Sequence, residues 1–182
     1  MITHVVVPEG LAVQQKGQCV LSNYYEAVLT RVISDVPLNG QVFLAPGNRF
    51  NCATYEELYA AEYLLSKRPD LNVIVPLVES NRTYLDTFDN AKLLRTWLQK
   101  EGQWPLQKVI LYCNAPHRAR SAVLFRLCGF NVQLVIACRP KTIHQKIVSR
   151  LWFYDYPIIQ AVYEVTALVY NFGKWIMWKI RT

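Results

Sequence analysis

Acidic residues are scarce in the second half of the chain. After residue 101 only Asp155 and Glu164 are acidic, whereas eleven residues are lysine or arginine. Residues 1–101 hold nine basic and eleven acidic residues, so the charge is −2 there and +9 over residues 102–182. Such an excess indicates an anionic partner, for which a phosphate-bearing ligand, an acidic lipid surface and nucleic acid are the candidates. The alternative is a solvated basic face with no specific partner.

Cysteine and histidine are too few and too scattered for a metal site. The five cysteines stand at positions 19, 52, 113, 128 and 138 without a C-x-x-C pair, and the chain has three histidines. This odd cysteine count in 182 residues is not that of a small disulfide scaffold. We therefore expect no bound metal, thiols that stay reduced, and cysteines that mostly lie in the core.

The sequence also lacks a long hydrophobic run and a targeting segment. The first residues carry no basic n-region before a short apolar stretch, which excludes a secretory signal. The apolar stretch at 158–180 is interrupted by Glu164 and Lys174, and its longest uncharged run, 165–173, is too short to span a bilayer. Hydrophobic residues make up 52% of the chain, enough for a full core. We expect a single cytoplasmic domain over residues 1–182.

Short apolar runs rich in β-branched residues alternate with helical patterns along the chain. The predicted strands are 3–7, 41–45, 72–76, 108–113 and 132–137. The predicted helices are 20–34, 54–66, 87–100 and 116–128, with further helices from about Thr142 and from Pro157. This alternation predicts an α/β fold with a Rossmann-like, mostly parallel five-stranded sheet and helices on both faces. Residues 139–182 are expected to form a helical extension that packs on it.

Capping signals mark the starts of three of these helices. Thr54 with Glu57 three residues later is a capping-box pattern. Asp86 or Thr87 is a suitable N-cap for the next helix. Pro116 suits the first helical position, where its missing N–H costs nothing.

The strongest site signal follows the fourth predicted strand, at the sheet edge where such folds bind ligands. His117 and Arg120 lie three residues apart and so share one face of a first helical turn. Cations at a helix N-terminus oppose the helix dipole, so stability alone does not explain them. We predict that Arg120 binds an anion through two hydrogen bonds and that His117 is a general acid/base. The alternative is two exposed surface residues.

Polar residues after the second predicted strand add to this site. Arg49 follows Pro46-Gly47-Asn48 in the loop, and Glu56 and Glu57 follow in a first helical turn. We predict that Arg49 binds the anion and that Glu56 either holds an arginine or acts as a base. Simple helix capping is the alternative for Glu57.

The loop after the third predicted strand leads to a further polar group. Asn90 lies in a first helical turn, where it lowers helix propensity, so its amide is expected to point into a site. We predict that Asn90 and Asp89 orient the substrate or His117. Capping alone is the alternative for Asp86, Thr87 and Asp89.

The C-terminal stretch has an apolar stripe at helical spacing, formed by Ile158, Val162, Val165, Val169, Phe172 and Ile176. Trp175, Trp178, Lys179 and Arg181 gather at its end. We expect a terminal helix whose stripe covers the core of the domain. The alternative is an interfacial membrane helix that makes peripheral contact through residues 172–182.

These segments, in this order, resemble the bacterial YdcF/SanA/ElyC-like family, a domain of unknown function numbered 218. The matching features are an apolar strand ending in a loop with Gly47, Glu56 at a helix start, and T-x-D-N-A at 87–91. H-x-x-R follows at 117–120, and a closing Y-E-x-x-A-L-x-Y stretch surrounds Glu164. The resemblance covers roughly residues 40–172. In place of the family's Gly-rich first turn, this chain has Val-Val-Val-Pro-Glu-Gly at 5–10.

The resemblance implies a ligand and a set of residues that bind it. It suggests a Rossmann-like sheet, a nucleotide-like or S-adenosylmethionine-type ligand and a link to the cell envelope. The predicted ligand-binding residues are Arg120, Arg49, Asn90, Thr87, Asn114 and Gly47. The predicted catalytic residues are His117, Glu56 and Asp89.

Three functions stay open from the sequence. The first is a transferase or hydrolase acting on an anionic small molecule, and the second is a non-catalytic module with the same ligand site. The third is a membrane-peripheral protein. No nucleic-acid recognition motif is present, so we expect no nucleic-acid partner.

Overall fold

The computed structural model of the protein describes residues 2–13, 17–78, 84–140, 148–149 and 156–181. The strands are β1 (Ile2–Val6), β2 (Leu11–Val13), β3 (Cys19–Leu21), β4 (Gln41–Leu44), β5 (Asn72–Ile74), β6 (Lys108–Asn114), β7 (Val132–Cys138) and β8 (Val148–Ser149). The helices are α1 (Asn23–Asp35), α2 (Glu56–Lys67), α3 (Thr87–Lys100), α4 (Arg118–Leu127) and α5 (Pro157–Arg181).

The main sheet has five parallel strands in the order β5-β4-β1-β6-β7. Val5 of the central strand β1 is level with Phe43 on one side and Leu111 on the other. The chain builds outward from β1 to β4 and β5 and then returns to β6 on the opposite side of β1. Strand order therefore reverses between β1 and β6, and their loops diverge at the carboxyl edge. The predicted α/β, Rossmann-like fold is confirmed.

Both faces of the sheet are covered, because successive side chains along a strand point to opposite sides. Val5 and Leu111 belong to a core formed with α3, α4 and α5. Val6 and Tyr112 belong to a second core formed with α1 and α2. Burial on both faces accounts for strands that are almost uniformly apolar.

A small antiparallel sheet, β3-β2-β8, lies outside this core and was not predicted. Between β1 and β2 the chain passes through Gly10, whose φ of 87° is in the left-handed region that favours glycine. It then forms the β2–β3 hairpin before α1 starts. Ser22 caps that helix by accepting from Tyr25 N, so the prediction of a helix from residue 20 placed its start too early. The helix predicted from about Thr142 falls outside the described residues, except that Val148–Ser149 is a strand.

A disulfide joins Cys19 in β3 to Cys52 in the segment after β4. The prediction that all thiols stay reduced is therefore wrong for this pair. The hairpin brings the two residues together, and their spacing in the sequence gives no sign of it. Cys113, Cys128 and Cys138 are free and buried, as expected of core cysteines. Disulfides persist in oxidising compartments and are rare in cytosolic proteins, so the pair counts against the predicted cytoplasmic location.

α5 packs on the domain with the side opposite to the one predicted. The stripe expected to cover the core is exposed to solvent, with fractions from 40% at Ile176 to 81% at Ile158. The inward side instead carries Glu164, which binds Arg120, and Asn171, whose side chain accepts from Phe88 N. A buried carboxylate and a buried amide need partners, and the domain supplies both. Within the described part of the chain, no helix has the length and apolarity needed to cross a membrane.

Candidate functional site

A polar cleft of about 70 Å³ opens at the carboxyl edge of the sheet. Its walls come from the loops after β1 and β4, from the starts of α3 and α4, and from α5. The start of α4 contributes His117 and Arg120 to the lining of the cleft, and α5 contributes Tyr163. The cleft lies at the strand-order reversal between β1 and β6, where ligands bind in sheets of this kind.

His117 sits at the base of the cleft as the N-cap of α4. The helix begins at Arg118, so Pro116 lies in the preceding turn. The prediction that Pro116 occupies the first helical position is therefore wrong. Asn114 holds this turn, because its Oδ1 accepts from His117 N at 3.0 Å. The imidazole Nδ1 is 2.7 Å from Glu9 Oε2, and Nε2 is 3.5 Å from Glu164 Oε1. His117 thus lies between two carboxyl groups.

The proton balance of this group follows from its burial. Burial raises the pKa of Glu9 well above its usual value, although its Oε1 accepts from Asn114 N at 2.7 Å. Burial, and then the charge of Arg120, lower the pKa of His117 to about 3. At neutral pH the imidazole is therefore neutral. A neutral imidazole carries one N–H, so in the tautomer with the proton on Nε2 that N–H points towards Glu164 and Nδ1 is an acceptor facing Glu9.

Arg120 ties α4 to α5 and to α3. Its Nε and Nη2 donate to the two carboxylate oxygens of Glu164 at 2.8 and 3.0 Å. Its Nη1 donates to Thr87 Oγ1 at 2.7 Å, and the guanidinium carbon lies 5.7 Å from the centre of the Tyr163 ring. This two-point pairing is the geometry in which arginine binds a carboxylate most strongly. The charges of Arg120 and Glu164 largely cancel at the cleft.

Glu9 and Glu164 are functional candidates that the site prediction left out. Glu9 is buried at the end of the loop after β1, and Glu164 comes from the last helix. A signal existed for Glu164, because it is one of two acidic residues after residue 101 and lies in an apolar helix. A carboxylate in such a place needs a cationic partner. No comparable signal marks Glu9.

Glu56 and Glu57 join the loops that form the cleft. Glu56 accepts from Gly10 N at 2.8 Å and from Asn48 N at 3.1 Å, while Glu57 accepts from Gly47 N at 2.9 Å. The capping box predicted for Thr54 and Glu57 is wrong, since Tyr55 is the N-cap of α2 and makes no side-chain cap. Glu56 lines the cleft, where burial raises the pKa of its carboxyl to about 7.

Gly47 has a steric role behind this wall. A Cβ at its position would lie 3.0 Å from both Glu56 Cβ and Pro8 Cβ, closer than such atoms normally approach. Glycine therefore lets the loops after β1 and β4 meet. The residue is not among those that line the cleft.

The raised pKa of Glu56 predicts a loss of stability with rising pH. Its pKa is about 7 when folded, against 4.5 for a solvated glutamate. The folded state therefore binds this proton more tightly, and the stabilisation, complete below pH 4.5, is lost as the pH rises through about 7. Between about pH 5 and about pH 8 the free energy of unfolding of the wild type should fall by roughly 2–3 kcal/mol more than that of Glu56→Gln.

Urea unfolding at the two pH values tests this expectation, with Glu62→Gln as the control. Glu62 is an exposed residue of the same helix. The control should follow the wild type at both pH values. If the wild type and Glu56→Gln show the same pH dependence, the Glu56 carboxyl does not titrate as described.

The other predicted residues from α3 divide between the cleft and the helix cap. Asn90 lines the cleft, and its Nδ2 donates to Pro46 O at 2.6 Å. Asp89 completes a capping box with Asp86, and Lys174 donates to both carboxylates. The predicted capping by Asp86 is confirmed. Asp89 is not among the lining residues.

Arg49 is also outside the lining of the cleft. Its guanidinium carbon lies 5.8 Å from the centre of the Tyr55 ring. Arg120 and His117 are the basic residues among the described residues that line the cleft. In the described part of the chain, no group of three or more His, Cys, Asp or Glu side chains is arranged to hold a metal ion.

No protein-family model, no curated protein and no solved structure gives a significant match to the chain. The resemblance to the YdcF-like family therefore stays a prediction. Chemically, the cleft combines a buried carboxyl group with a raised pKa and a neutral imidazole, and its arginine is paired with the Glu164 carboxylate. Such a set can bind a polar ligand and exchange a proton with it.

Proposed function

We propose that the cleft binds a small anionic molecule and that His117 exchanges a proton with it. The observation that carries the proposal is the position of the His117 ring, which lines the cleft, with Nδ1 at 2.7 Å from Glu9 Oε2 and Nε2 at 3.5 Å from Glu164 Oε1. A side chain that holds one imidazole nitrogen fixes the tautomer and leaves the other nitrogen for the substrate. Glu9 is that positioning group here.

Proton delivery can follow this line of atoms. Nε2–H gives its proton to a leaving group of the bound molecule while Nδ1 takes the proton of the Glu9 carboxyl. The imidazole ends neutral, and the negative charge ends on Glu9. Run in reverse, the same steps remove a proton from an attacking hydroxyl or water. A transferase or a hydrolase needs this chemistry.

The ligand class follows from charge and from the family resemblance. Arg120 is already paired with Glu164, so the preference for a phosphate or carboxylate at this end of the cleft rests on the start of α4, where a helix N-terminus favours an anion. The resemblance to YdcF-like proteins suggests a nucleotide-like or S-adenosylmethionine-type molecule and a role linked to the cell envelope. A non-catalytic binding module would use the same cleft and differ only in that no product forms.

Thermal shift against nucleotides, S-adenosylmethionine and phosphorylated metabolites tests ligand binding. A ligand at about 100 times its dissociation constant should raise the Tm of the wild type by roughly 5–10 °C. His117→Gln should abolish most of this shift. Arg118→Gln is the matched control, because Arg118 is the exposed neighbour on the same helix and should respond as the wild type does. Equal shifts in all three proteins would refute the proposed site.

Glu9→Gln separates catalysis from binding. The amide keeps the shape of the carboxyl but cannot pass on its proton. We expect this variant to bind the ligand found above and to lose most of its turnover, by about 10²–10⁴-fold. If the wild type binds that ligand and never forms product, the protein is a binding module.

A further inference from the structure

α5 exposes an uncharged apolar surface along its whole length. Every exposed side chain from Pro157 to Met177 is uncharged. We call its apolar members the outer face: Ile158, Ile159, Val162, Val165, Val169, Phe172, Ile176, Met177 and Ile180, each 40–81% exposed. Soluble proteins seldom expose contiguous apolar patches of more than about 300–600 Å² unless the patch binds a partner. We therefore expect the outer face to be covered when the protein functions.

Two polar side chains, Thr166 and Tyr170, are exposed on this side of the helix, and Thr166 is satisfied inside the helix. Thr166 Oγ1 donates to the carbonyl oxygens of Val162 and Tyr163, each at 2.9 Å. In water such a bond is unnecessary, whereas in a lipid environment a hydroxyl group has no other partner. Gly173 adds no side chain there. The surface thus offers its partner mainly apolar contact, with the exposed Tyr170 side chain at its edge.

The charges around the outer face suit an acidic surface. Glu164 is the only acidic residue of α5, and it is turned inward to Arg120. Lys179 and Arg181 are exposed at the end of the helix, and residues 102–182 carry a net charge of +9. An apolar helix face with flanking basic residues is the pattern of helices that lie in the interface of anionic membranes. We propose that the outer face of α5 docks the protein on an anionic lipid surface.

The shape of the outer face favours lipid over a second copy of the chain. Viewed down the helix axis at 100° per residue, the outer face covers an arc of roughly 140°, with Phe172 at one edge and Met177 at the other. A two-helix seam covers a narrower stripe and has charged residues beside it. Ile159 and Met177 would stay exposed in such a pair, whereas a planar surface covers them. Among the described helices none can span a bilayer, so α5 would lie parallel to the membrane plane.

The docking surface differs from the one that the sequence suggested. Trp175 Nε1 donates to Leu127 O, and the Trp178 ring packs edge-on against Phe88. Both tryptophans therefore face the domain. The proposed membrane contact is therefore the outer face, which begins at Ile158, and not residues 172–182 as the sequence suggested. None of the outer-face residues lines the cleft.

Vesicle flotation tests the proposal. The wild type should float with phosphatidylcholine vesicles that contain about one-third phosphatidylglycerol, and much less with phosphatidylcholine alone. The double variant Val165→Glu/Val169→Glu should bind at least about tenfold more weakly. Leu38→Glu is the matched control, because Leu38 is 77% exposed and lies between α1 and β4, and it should bind as the wild type does. Lys179→Gln and Arg181→Gln should each weaken binding roughly fivefold at low salt.

Three results would overturn the proposal. The first is a wild type that stays in solution with anionic vesicles, and the second is a double variant that floats as well as the wild type. The third is a wild-type dimer in sedimentation velocity that the double variant dissociates, which would assign the outer face to a second copy. Unfolding curves should be the same for the double variant and the wild type, so that a loss of flotation cannot be attributed to misfolding.

Discussion

Replacing Arg120 with alanine is expected to lower the free energy of unfolding by about 3–5 kcal/mol, because it leaves the carboxylate of Glu164, whose side chain is 14% exposed, without its cation. Arg120 is 5% exposed and forms hydrogen bonds with Glu164 and Thr87. Arg118→Ala, at the exposed neighbouring position, should change stability by no more than about 0.5 kcal/mol. Chemical denaturation of both variants gives the comparison.

A double variant shows whether the loss of stability in Arg120→Ala comes from the carboxylate that is left unpaired. Arg120→Met combined with Glu164→Leu removes both charges and leaves neither of them unpaired. This double variant should be more stable than Arg120→Ala, since replacing a whole buried ion pair is often close to neutral. A double variant less stable than Arg120→Ala would mean that packing around Arg120, and not its charge, sets the cost.

Removing the disulfide is the second large effect expected. Cys19 and Cys52 are 33 residues apart, and the loss of a cross-link over a loop of this length costs about 3–4 kcal/mol by the chain-entropy relation. The Cys19→Ser/Cys52→Ser variant should therefore unfold at a lower urea concentration than the oxidised wild type. Since domains of this size are stable by only about 5–15 kcal/mol, the shift should be large.

Reductant provides the control for this prediction. Reduced wild type should match the double variant, whereas the double variant itself should not respond to reductant. Cys113, Cys128 and Cys138 are buried and free, so they do not complicate the comparison. An unfolding curve of wild type that reductant does not move would contradict the cross-link.

Hydrophobic periodicity predicted most of the fold, because it reports which residues are buried. The five strands of the main sheet and the helix at 87–100 follow from short apolar runs and from capping at Asp86. The β2–β3 hairpin was missed because each of its strands has three residues, too few to show alternation. For α5 the hydrophobic periodicity predicted the apolar stripe correctly, but the stripe faces solvent and not the core. That direction is set by Glu164 and Asn171, which find their partners in the domain.

The site was partly predictable for a similar reason. His117 and Arg120 are close in the sequence, so helical spacing alone places both at one end of α4. Glu9 lines the cleft and Glu164 contacts two of its lining residues, His117 and Arg120, and only the fold brings these distant parts of the chain together. Arg49 and Asp89 were chosen for their position after a strand, but an aromatic ring and a helix cap hold them elsewhere. A residue's position after a strand predicts which edge of the sheet it lies at, but it does not predict which way its side chain points.

The wide separation of Glu9 and Glu164 along the chain has a consequence for biosynthesis. A ribosome makes the sheet, the hairpin and α4 before it makes residue 164. Until then the guanidinium of Arg120 lacks its counter-ion, and the core beneath α3 and α4 lacks Leu168 and Trp175. The nascent protein therefore cannot complete its cleft until α5 has been made. Binding competence should be acquired in one step, when α5 docks.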